Sequence, residues 1–207
     1  LIETAIEQAI RATEAGFDGI ALTEHHVSGY NTFGDNLMMA TLRLWQELSF
    51  YARERGLAYL YYEPMSVPRE MGYTISQARS LYERVNARVG VPVYLCLDVG
   101  HAAHPLERDP YEWLAELAPY APIVHLQQTE AGYSRHWPFV DEYNTRGIVD
   151  ARRVLDILSA RGREDVWLGF EVMHRERYEQ ESEVIPDQVA SARYWRRYLP
   201  EDGVWHP

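Results

Sequence analysis

Residues 91–101 read VPVYLCLDVGH, a short apolar run that ends at Asp98 and is followed three residues later by His101. Apolar runs of this length without polar alternation are typical of parallel strands that are buried on both faces. A helical pattern precedes the run, and its first residues, 74–77, read TISQ, which has the form of a capping box. The stretch is therefore predicted to be one strand of a repeating strand and helix fold.

The same alternation continues in both directions along the chain. Strands are predicted at 19–23, 59–62, 91–97, 123–124 (leading into His125) and 166–170. Helices are predicted at 2–15, 36–55, 74–89, 110–117, 151–161 and 186–198. The second is amphipathic, with Leu37, Ala40, Leu44 and Leu48 on one side. Such βα repeats build either a doubly wound open sheet or a (β/α)8 barrel.

Polar residues at the strand ends favour the barrel over the open sheet. No G-x-G-x-x-G pattern follows any strand, so a dinucleotide-binding open sheet lacks its main signal. Four successive strands lead instead into Glu63, Asp98, His125 and Glu171. In a (β/α)8 TIM barrel, residues at the carboxyl ends of the strands converge on one active site, whereas in an open sheet they lie along an edge. We therefore predict an α/β barrel.

The chain length bears on how much of that barrel is present. A complete barrel has eight strands and about 250 residues, whereas five strands are found in these 207 residues. The sequence is expected to hold about five carboxyl-terminal βα units in a single domain, 1–207, and to lack roughly three amino-terminal ones. The first residue, which is Leu rather than Met, agrees with that expectation.

Composition excludes several classes of function. All 20 basic residues are Arg and none is Lys, which excludes Schiff-base aldolases, pyridoxal-phosphate enzymes and P-loop NTPases. The one cysteine, Cys96, excludes disulfides and cysteine-ligated zinc within one chain. A net charge of −11 argues against nucleic-acid binding. There is no membrane-length apolar run and no export signal, so a cytoplasmic location is expected.

The strand-end set has the chemistry of a metal site. Three carboxylates and one imidazole suit one divalent ion such as Mn2+, Mg2+, Co2+ or Zn2+. An ion held in this way stays Lewis-acidic and can bind neighbouring oxygens of a polyol or keto sugar. We therefore predict that Glu63, Asp98, His125 and Glu171 share one ion.

Residues near the strand ends are candidates for substrate binding. His101 lies in the loop after Asp98, and Gln127 lies on the same alternating face as His125. An Arg near a barrel mouth can hold a carboxylate or phosphate through its planar fork. The predicted substrate contacts are His101, Arg69, Gln127, Arg135 and His136. Aromatic residues on the helices fit either packing against the barrel or an oligomer interface, and these are Trp45, Tyr51, Tyr82, Trp113 and Trp195.

The set of strand-end residues resembles that of the xylose isomerase-like TIM barrel superfamily, and within it the sugar and sugar-phosphate isomerases and epimerases related to D-tagatose 3-epimerase. The resemblance covers essentially the whole chain. It implies that Glu63, Asp98, His125 and Glu171 are the metal ligands on strands five to eight. It also implies that the D-x-x-H pattern makes His101 a substrate contact. One departure is that the family's loop Arg lies closer to the ligand His than Arg135 does here, ten residues on.

The resemblance also implies a mechanism. Glu63 and Glu171 would lie on opposite sides of the substrate, one removing the proton next to the carbonyl and the other returning a proton to the cis-enediolate. The predicted function is thus a divalent-metal-dependent isomerase or epimerase of a small ketose, sugar phosphate or sugar acid.

Three other functions are also compatible with the sequence. A decarboxylase or lyase of a 3-oxo sugar acid would use the same enediolate stabilisation, with Arg69 or Arg135 on the carboxylate. An endonuclease IV-like repair enzyme would need more His and Asp ligands for its metal ions and a positively charged face for DNA. A non-enzymatic binding protein could keep the barrel without activity.

Overall fold

The computed structural model describes residues 11, 20–22, 34–65, 71–103, 109–161, 165–173 and 181–205. The chain divides into two compact units, Leu1–Pro64 with Pro68–Cys96, and Leu97–Pro207 with Met65–Val67. The predicted single domain spans both units and stays a prediction.

The first unit contains three parallel strands in the order β1-β2-β3. β1 is Ile20–Leu22, β2 is Leu60–Tyr62, and β3 is Val93–Asp98, of which Val93–Cys96 belongs to this unit. Ile20 pairs with Leu60, and Leu60 pairs with Val93, so the strands run in register. β2 and the first unit's part of β3 are buried except for Tyr94, as expected for parallel strands covered on both faces.

Two helices pack in this unit, α1 at Gly34–Glu54 and α2 at Ile75–Asn86. Thr74 caps α2, since its side chain accepts a hydrogen bond from the Gln77 backbone N–H at 3.2 Å. The Asn86 amide at the other end of α2 binds both backbone groups of Val93, at 2.8 Å and 3.0 Å. Helix α2 is thereby attached directly to the start of β3.

The second unit contains the end of β3, then β4 at Ile123–Leu126 and β5 at Trp167–Phe170. β4 and β5 are parallel, with Ile123 opposite Trp167 and Leu126 opposite Phe170. Four helices accompany them, and these are α3 at Pro110–Leu117, α4 at Asp141–Asn144, α5 at Ala151–Arg161 and α6 at Val184–Trp195. Short 3-10 turns lie at His101–Ala103, Ala118–Tyr120 and Glu181–Glu183.

The core of the second unit is built on aromatic and aliphatic contacts. Phe139 is 1% exposed and stacks on Tyr194 with ring centroids 5.6 Å apart. The Phe139 backbone N–H donates to the Ser191 hydroxyl at 3.0 Å, which ties the loop before α4 to α6. Trp113 and Leu117 of α3 are likewise buried.

The predicted element order is confirmed over the described residues, with ends shifted by a few residues. The helix predicted at 2–15 lies outside them except for residue 11, which is helical. The short helix α4 was not predicted. Among the aromatic residues expected to pack, Trp45, Trp113 and Trp195 are buried.

From Thr41 onward, the buried residues of α1 are Thr41, Leu42, Trp45, Ser49 and Ala52. Leu44 and Leu48, predicted on one side of this helix, are half-buried, and the side chains of Leu37 and Ala40 lie outside the described part of the chain. The Trp45 ring lies 5.7 Å from the Tyr62 ring. The expectation that β5 is buried on both faces is wrong, since Trp167 is 74% exposed and the next three residues are half-buried. Among the described strands, β5 pairs only with β4, so one of its edges is not covered by a described strand.

No helix within the described ranges is long and apolar enough to cross a membrane.

Candidate metal centre

Three of the predicted ligands meet in the second unit. Asp98 is the last residue of β3, His125 lies within β4, and Glu171 directly follows β5. One ligand atom of each lies within 4.8 Å of the others. His125 Nδ1 is 3.2 Å from Glu171 Oε2. These three side chains can therefore reach one ion.

Strand pairing places these residues side by side. His125 is opposite Gly169 in the parallel register of β4 and β5. The Glu171 backbone N–H donates to the Leu126 carbonyl at 3.0 Å, which extends the ladder beyond β5. The Val99 backbone N–H donates to the His125 carbonyl at 3.2 Å and holds the end of β3 beside β4. The fold thus brings the ligands to the carboxyl ends of neighbouring strands.

Asp98 is held in a fixed orientation. It is 3% exposed, and its Oδ1 atom accepts three hydrogen bonds. The donors are the Gly100 backbone N–H at 2.7 Å, the His101 backbone N–H at 2.6 Å and the Gln127 Nε2 amide at 2.8 Å. Three donors on one oxygen fix the orientation of this carboxyl group.

Two buried histidines also lie near the Glu171 carboxylate. His101 Nε2 is 3.8 Å from Glu171 Oε2, and His136 Nε2 is 3.9 Å from Glu171 Oε1. The two imidazole rings meet edge to face, with centroids 5.2 Å apart. His136 has a φ of 51°, which lies in the left-handed region that residues other than glycine seldom adopt. Its backbone N–H donates to Gln127 Oε1 and its carbonyl accepts from the Met173 N–H, so this conformation is tied down at both ends.

The pKa of Glu171 is set by opposing effects. Burial raises the pKa of this carboxyl, but the hydrogen bond with His125, the nearby His101 charge and the interaction with Asp98 lower it. The net result is a pKa of about 2. Glu171 is therefore an ionised carboxylate at neutral pH.

The donor set fits a divalent cation. Asp98 and Glu171 offer carboxylate oxygens and His125 an imidazole nitrogen, the ligand types that Mn2+, Co2+ and Zn2+ accept. Glu63 directly follows β2 in the first unit, and its share in this centre stays a prediction.

The other predicted site residues have different surroundings. Gln127 is fully buried, and its amide is bonded within the protein. Arg135 pairs with Glu130, its Nε atom 2.9 Å from Oε1, and its guanidinium lies over the Tyr133 ring. Arg69 lies outside the described residues. Substrate binding by these three residues stays a prediction.

Sequence reasoning missed two residues that shape the site. The Ser134 hydroxyl is 3.1 Å from His101 Nδ1 and donates to Gln127 Oε1 at 3.2 Å. Gly100 leaves room for Gln127, because a Cβ atom there would lie 2.0 Å from Gln127 Cδ. A glycine between Asp98 and His101 is a signal of close approach, whereas Ser134 carries no signal in the sequence.

Comparison with known proteins assigns the family. The family model described as the xylose isomerase-like TIM barrel matches residues 6–193, which is most of the chain. The chain belongs to this family. The TIM barrel resemblance noted in the sequence is thereby confirmed.

Individual known proteins are also similar to the chain. The chain is 28% identical over 187 residues to D-erythrulose 1-phosphate 3-epimerase of Brucella abortus (strain 2308), a match that covers 86% of this chain and 60% of that protein. A candidate xylose isomerase from Rhodospirillum rubrum ATCC 11170, solved by crystallography, superposes with a TM-score of 0.79 and 23% identity. That superposition covers 93% of this chain and 66% of the other.

A sugar-bound relative shares the fold at lower identity. D-psicose 3-epimerase with D-tagatose, from Clostridium cellulolyticum H10, gives a TM-score of 0.67 with 11% identity, covering 95% of this chain and 69% of that one. Both crystal structures show the fold alone. The chain spans 60% of the length of the curated relative.

Proposed function

We propose that this chain is a divalent-metal-dependent sugar isomerase or epimerase acting on a small ketose, sugar phosphate or sugar acid. The observation that carries the proposal is the meeting of Asp98, His125 and Glu171 within 4.8 Å, at the strand ends of a xylose isomerase-like fold. The similarity to a 3-epimerase named for a four-carbon ketose phosphate favours a phosphorylated ketose.

The proposed ligands are Asp98, His125, Glu171 and Glu63, the last on the strength of its place directly after β2. A bound divalent ion would supply charge stabilisation where negative charge develops on the substrate oxygens. Mn2+, Mg2+, Co2+ and Zn2+ all suit this set of oxygen and nitrogen donors, and a binding measurement decides among them.

Glu171 has the properties of a proton carrier. Its carboxylate is ionised at neutral pH, so it can accept the proton next to the substrate carbonyl. A pKa of about 2 makes this carboxylate a weak base, so its position beside Asp98 and His125, and not its basicity, supports the role. Glu63 would exchange a proton on the opposite face of the cis-enediolate, which inverts or relocates the substituent there.

The lyase alternative has less support. Of the two Arg residues that could hold the substrate carboxylate, Arg135 is paired with Glu130 and Arg69 lies outside the described residues. Release of CO2 from a 3-oxo sugar acid would nevertheless decide for it.

The first experiment compares the wild-type chain with Glu171→Gln. In D2O with Mn2+ and a ketose phosphate, the wild type should exchange the proton next to the carbonyl. Glu171→Gln should exchange it at a rate lower by about a hundredfold or more, because a positioned general base contributes on the order of 10² to 10⁴ in rate. NMR of the substrate measures the exchange.

Metal binding gives a second readout, and Glu142→Gln on the exposed surface is the matched control. Calorimetric titration with Mn2+ should show weaker binding for Glu171→Gln and unchanged binding for Glu142→Gln. Equal Mn2+ affinity in all three proteins would contradict the proposal.

A further inference from the structure

One side of helix α1 carries charged, polar and aromatic residues. These are Arg43, Gln46, Glu47 and Phe50. The last three follow Arg43 by three, four and seven residues, a spacing that places all four on the same side of a helix. The Gln46 amide donates to the Arg84 carbonyl near the end of α2 at 3.3 Å. This side of α1 therefore faces the end of α2.

The loop after α2 is fixed closely against α1. The Gly90 backbone N–H donates to the Ser49 hydroxyl at 3.0 Å, and that hydroxyl donates to the Gln46 carbonyl at 2.6 Å. A Cβ atom at Gly90 would lie 2.5 Å from the Phe50 Cα atom, so a larger residue would clash there. The loop that carries Arg88 is thereby held in place beside α1.

A cavity of about 400 Å³ lies at this contact. Its walls are Arg43, Gln46, Glu47, Phe50 and Arg88, all of which belong to the first unit. Cavities of about 300–1,000 Å³ are typical of small-molecule sites. Three of the five wall residues are exposed, so the cavity opens to solvent.

The cavity is rich in positive charge, although the chain has a net charge of −11. Arg43 and Arg88 line it together with one acid, Glu47. The Arg53 guanidinium lies 5.1 Å from the centroid of the Phe50 ring and adds a third cation beside one wall. Within the ranges that the structure describes, neither Arg43 nor Arg88 forms an ion pair. Both guanidinium groups can therefore bind an anion.

The wall residues favour one class of ligand. A guanidinium binds phosphate or carboxylate oxygens through its planar fork. Two such groups match the charge of close to −2 that a phosphate monoester carries at neutral pH. The Glu47 carboxylate can accept hydrogen bonds from hydroxyl groups, and the half-buried Phe50 ring offers an apolar wall to carbon atoms.

We propose that this cavity binds the phosphate monoester of a small polyol, with Arg43 and Arg88 on the phosphate and Glu47 on a hydroxyl. None of the five wall residues is among the proposed metal ligands. The inference therefore does not rest on the proposed function.

Calorimetric titration of the full chain, without added metal, tests the class of ligand. Glycerol 3-phosphate should bind, whereas glycerol, which lacks the anion, should not. Glycerate, which carries one negative charge, should bind about tenfold more weakly than glycerol 3-phosphate, because one charge interaction is lost. Glycerate binding as tight as that of glycerol 3-phosphate would contradict the choice of a phosphate.

Two variants test the cationic walls. Arg43→Gln and Arg88→Gln should each weaken glycerol 3-phosphate binding by about tenfold or more, because each removes a charge-assisted hydrogen bond. Arg55→Gln is the matched control, since Arg55 is exposed, directly follows α1 and does not line the cavity. It removes the same charge and should keep the wild-type affinity. Circular dichroism checks that each variant folds.

Glu47→Ala tests the hydroxyl contact. The wild type should bind glycerol 3-phosphate more tightly than inorganic phosphate, which has no carbon-bound hydroxyl. Glu47→Ala should bind inorganic phosphate more tightly than the wild type does, because a repelling charge is removed. It should also lose the preference for glycerol 3-phosphate, and a preference that is retained would contradict the role of Glu47.

Three results would overturn the site itself. The first is a wild-type chain that does not bind glycerol 3-phosphate. The second is unchanged affinity in both Arg43→Gln and Arg88→Gln, which would place the ligand elsewhere. The third is equal weakening in Arg43→Gln and Arg55→Gln, which would indicate general charge attraction. Failure of proton exchange at the metal centre would contradict the proposed function alone, because these titrations contain no metal.

Discussion

At the scale of single residues, the site depends on Gly100 as much as on its ligands. The Gly100 backbone N–H donates to Asp98, while its missing side chain makes room for the Gln127 amide. Gly100 thus binds the Asp98 carboxylate through its backbone N–H, and the lack of a side chain leaves space for the Gln127 amide. This double use explains why glycine lies between Asp98 and His101.

Gly100→Ala should therefore weaken both stability and metal binding. The new Cβ would lie 2.0 Å from Gln127 Cδ, and Gln127 cannot move away without losing its bonds to Asp98 and His136. Overpacking of this kind costs about 1–3 kcal/mol of unfolding free energy. Urea unfolding and Mn2+ titration measure the two effects.

Gly169→Ala is the matched control for that substitution. Its Cβ would meet the His125 ring at 3.7 Å, an ordinary contact distance. A loss of stability in Gly169→Ala as large as in Gly100→Ala would show that steric pressure on Gln127 is not the cause.

The meeting of the three proposed ligands could be predicted from the sequence, whereas the contacts around them could not. Asp98, His125 and Glu171 stand at the ends of apolar runs, and parallel pairing brings such ends together. Ser134 meets His101 only because the loop after β4 folds back, with Gln128 and Trp137 paired antiparallel. The sequence of a polar loop does not predict that it folds back in this way.

At the scale of secondary structure, the first turn of α2 was the most predictable feature. The TISQ sequence at 74–77 predicted a capping box, and Thr74 indeed caps the helix through the Gln77 backbone N–H. Capping is a local interaction, so tertiary packing has little influence on it. The burial along α1 was harder to predict because it depends on tertiary contacts such as that of Trp45 with Tyr62.

Removal of the cap should destabilise the first unit. Thr74→Ala leaves one backbone N–H of α2 without its side-chain partner, at a typical cost of about 1 kcal/mol. Ser76→Ala, two residues on at an exposed helical position, should be neutral or slightly stabilising. Thermal unfolding followed by circular dichroism compares the two, and equal destabilisation would contradict the capping role.

At the scale of the whole molecule, barrel membership was predictable from the order of its elements. Parallel strands that lead into the proposed ligands occur in sequence order, and the family model matches residues 6–193. The division of the chain into two compact units, with the boundary between Cys96 and Leu97 inside β3, was not predictable, because the apolar run continues through it. The burial of Cys96 shows that the strand interior is packed at that point.

A bound ion should stabilise the folded chain as a whole. If Mn2+ binds the native state but not the unfolded chain, a concentration of one hundred times the Kd adds about 2.7 kcal/mol. The midpoint of thermal unfolding should therefore rise with Mn2+ for the wild type and much less for His125→Gln. An equal rise in both proteins would indicate binding elsewhere.

The exposure of β5 makes one tryptophan optically distinct. Trp167, at the start of the strand that leads to Glu171, is 74% exposed, and Trp205 is half-buried. The other tryptophans are each less than one-tenth exposed, and these are Trp45, Trp113, Trp137 and Trp195. A collisional quencher such as iodide reaches an exposed indole far more readily than a buried one. The quenchable part of the emission therefore comes largely from a residue four positions before Glu171, so the protein carries its own fluorescent reporter on the strand that ends at the proposed centre.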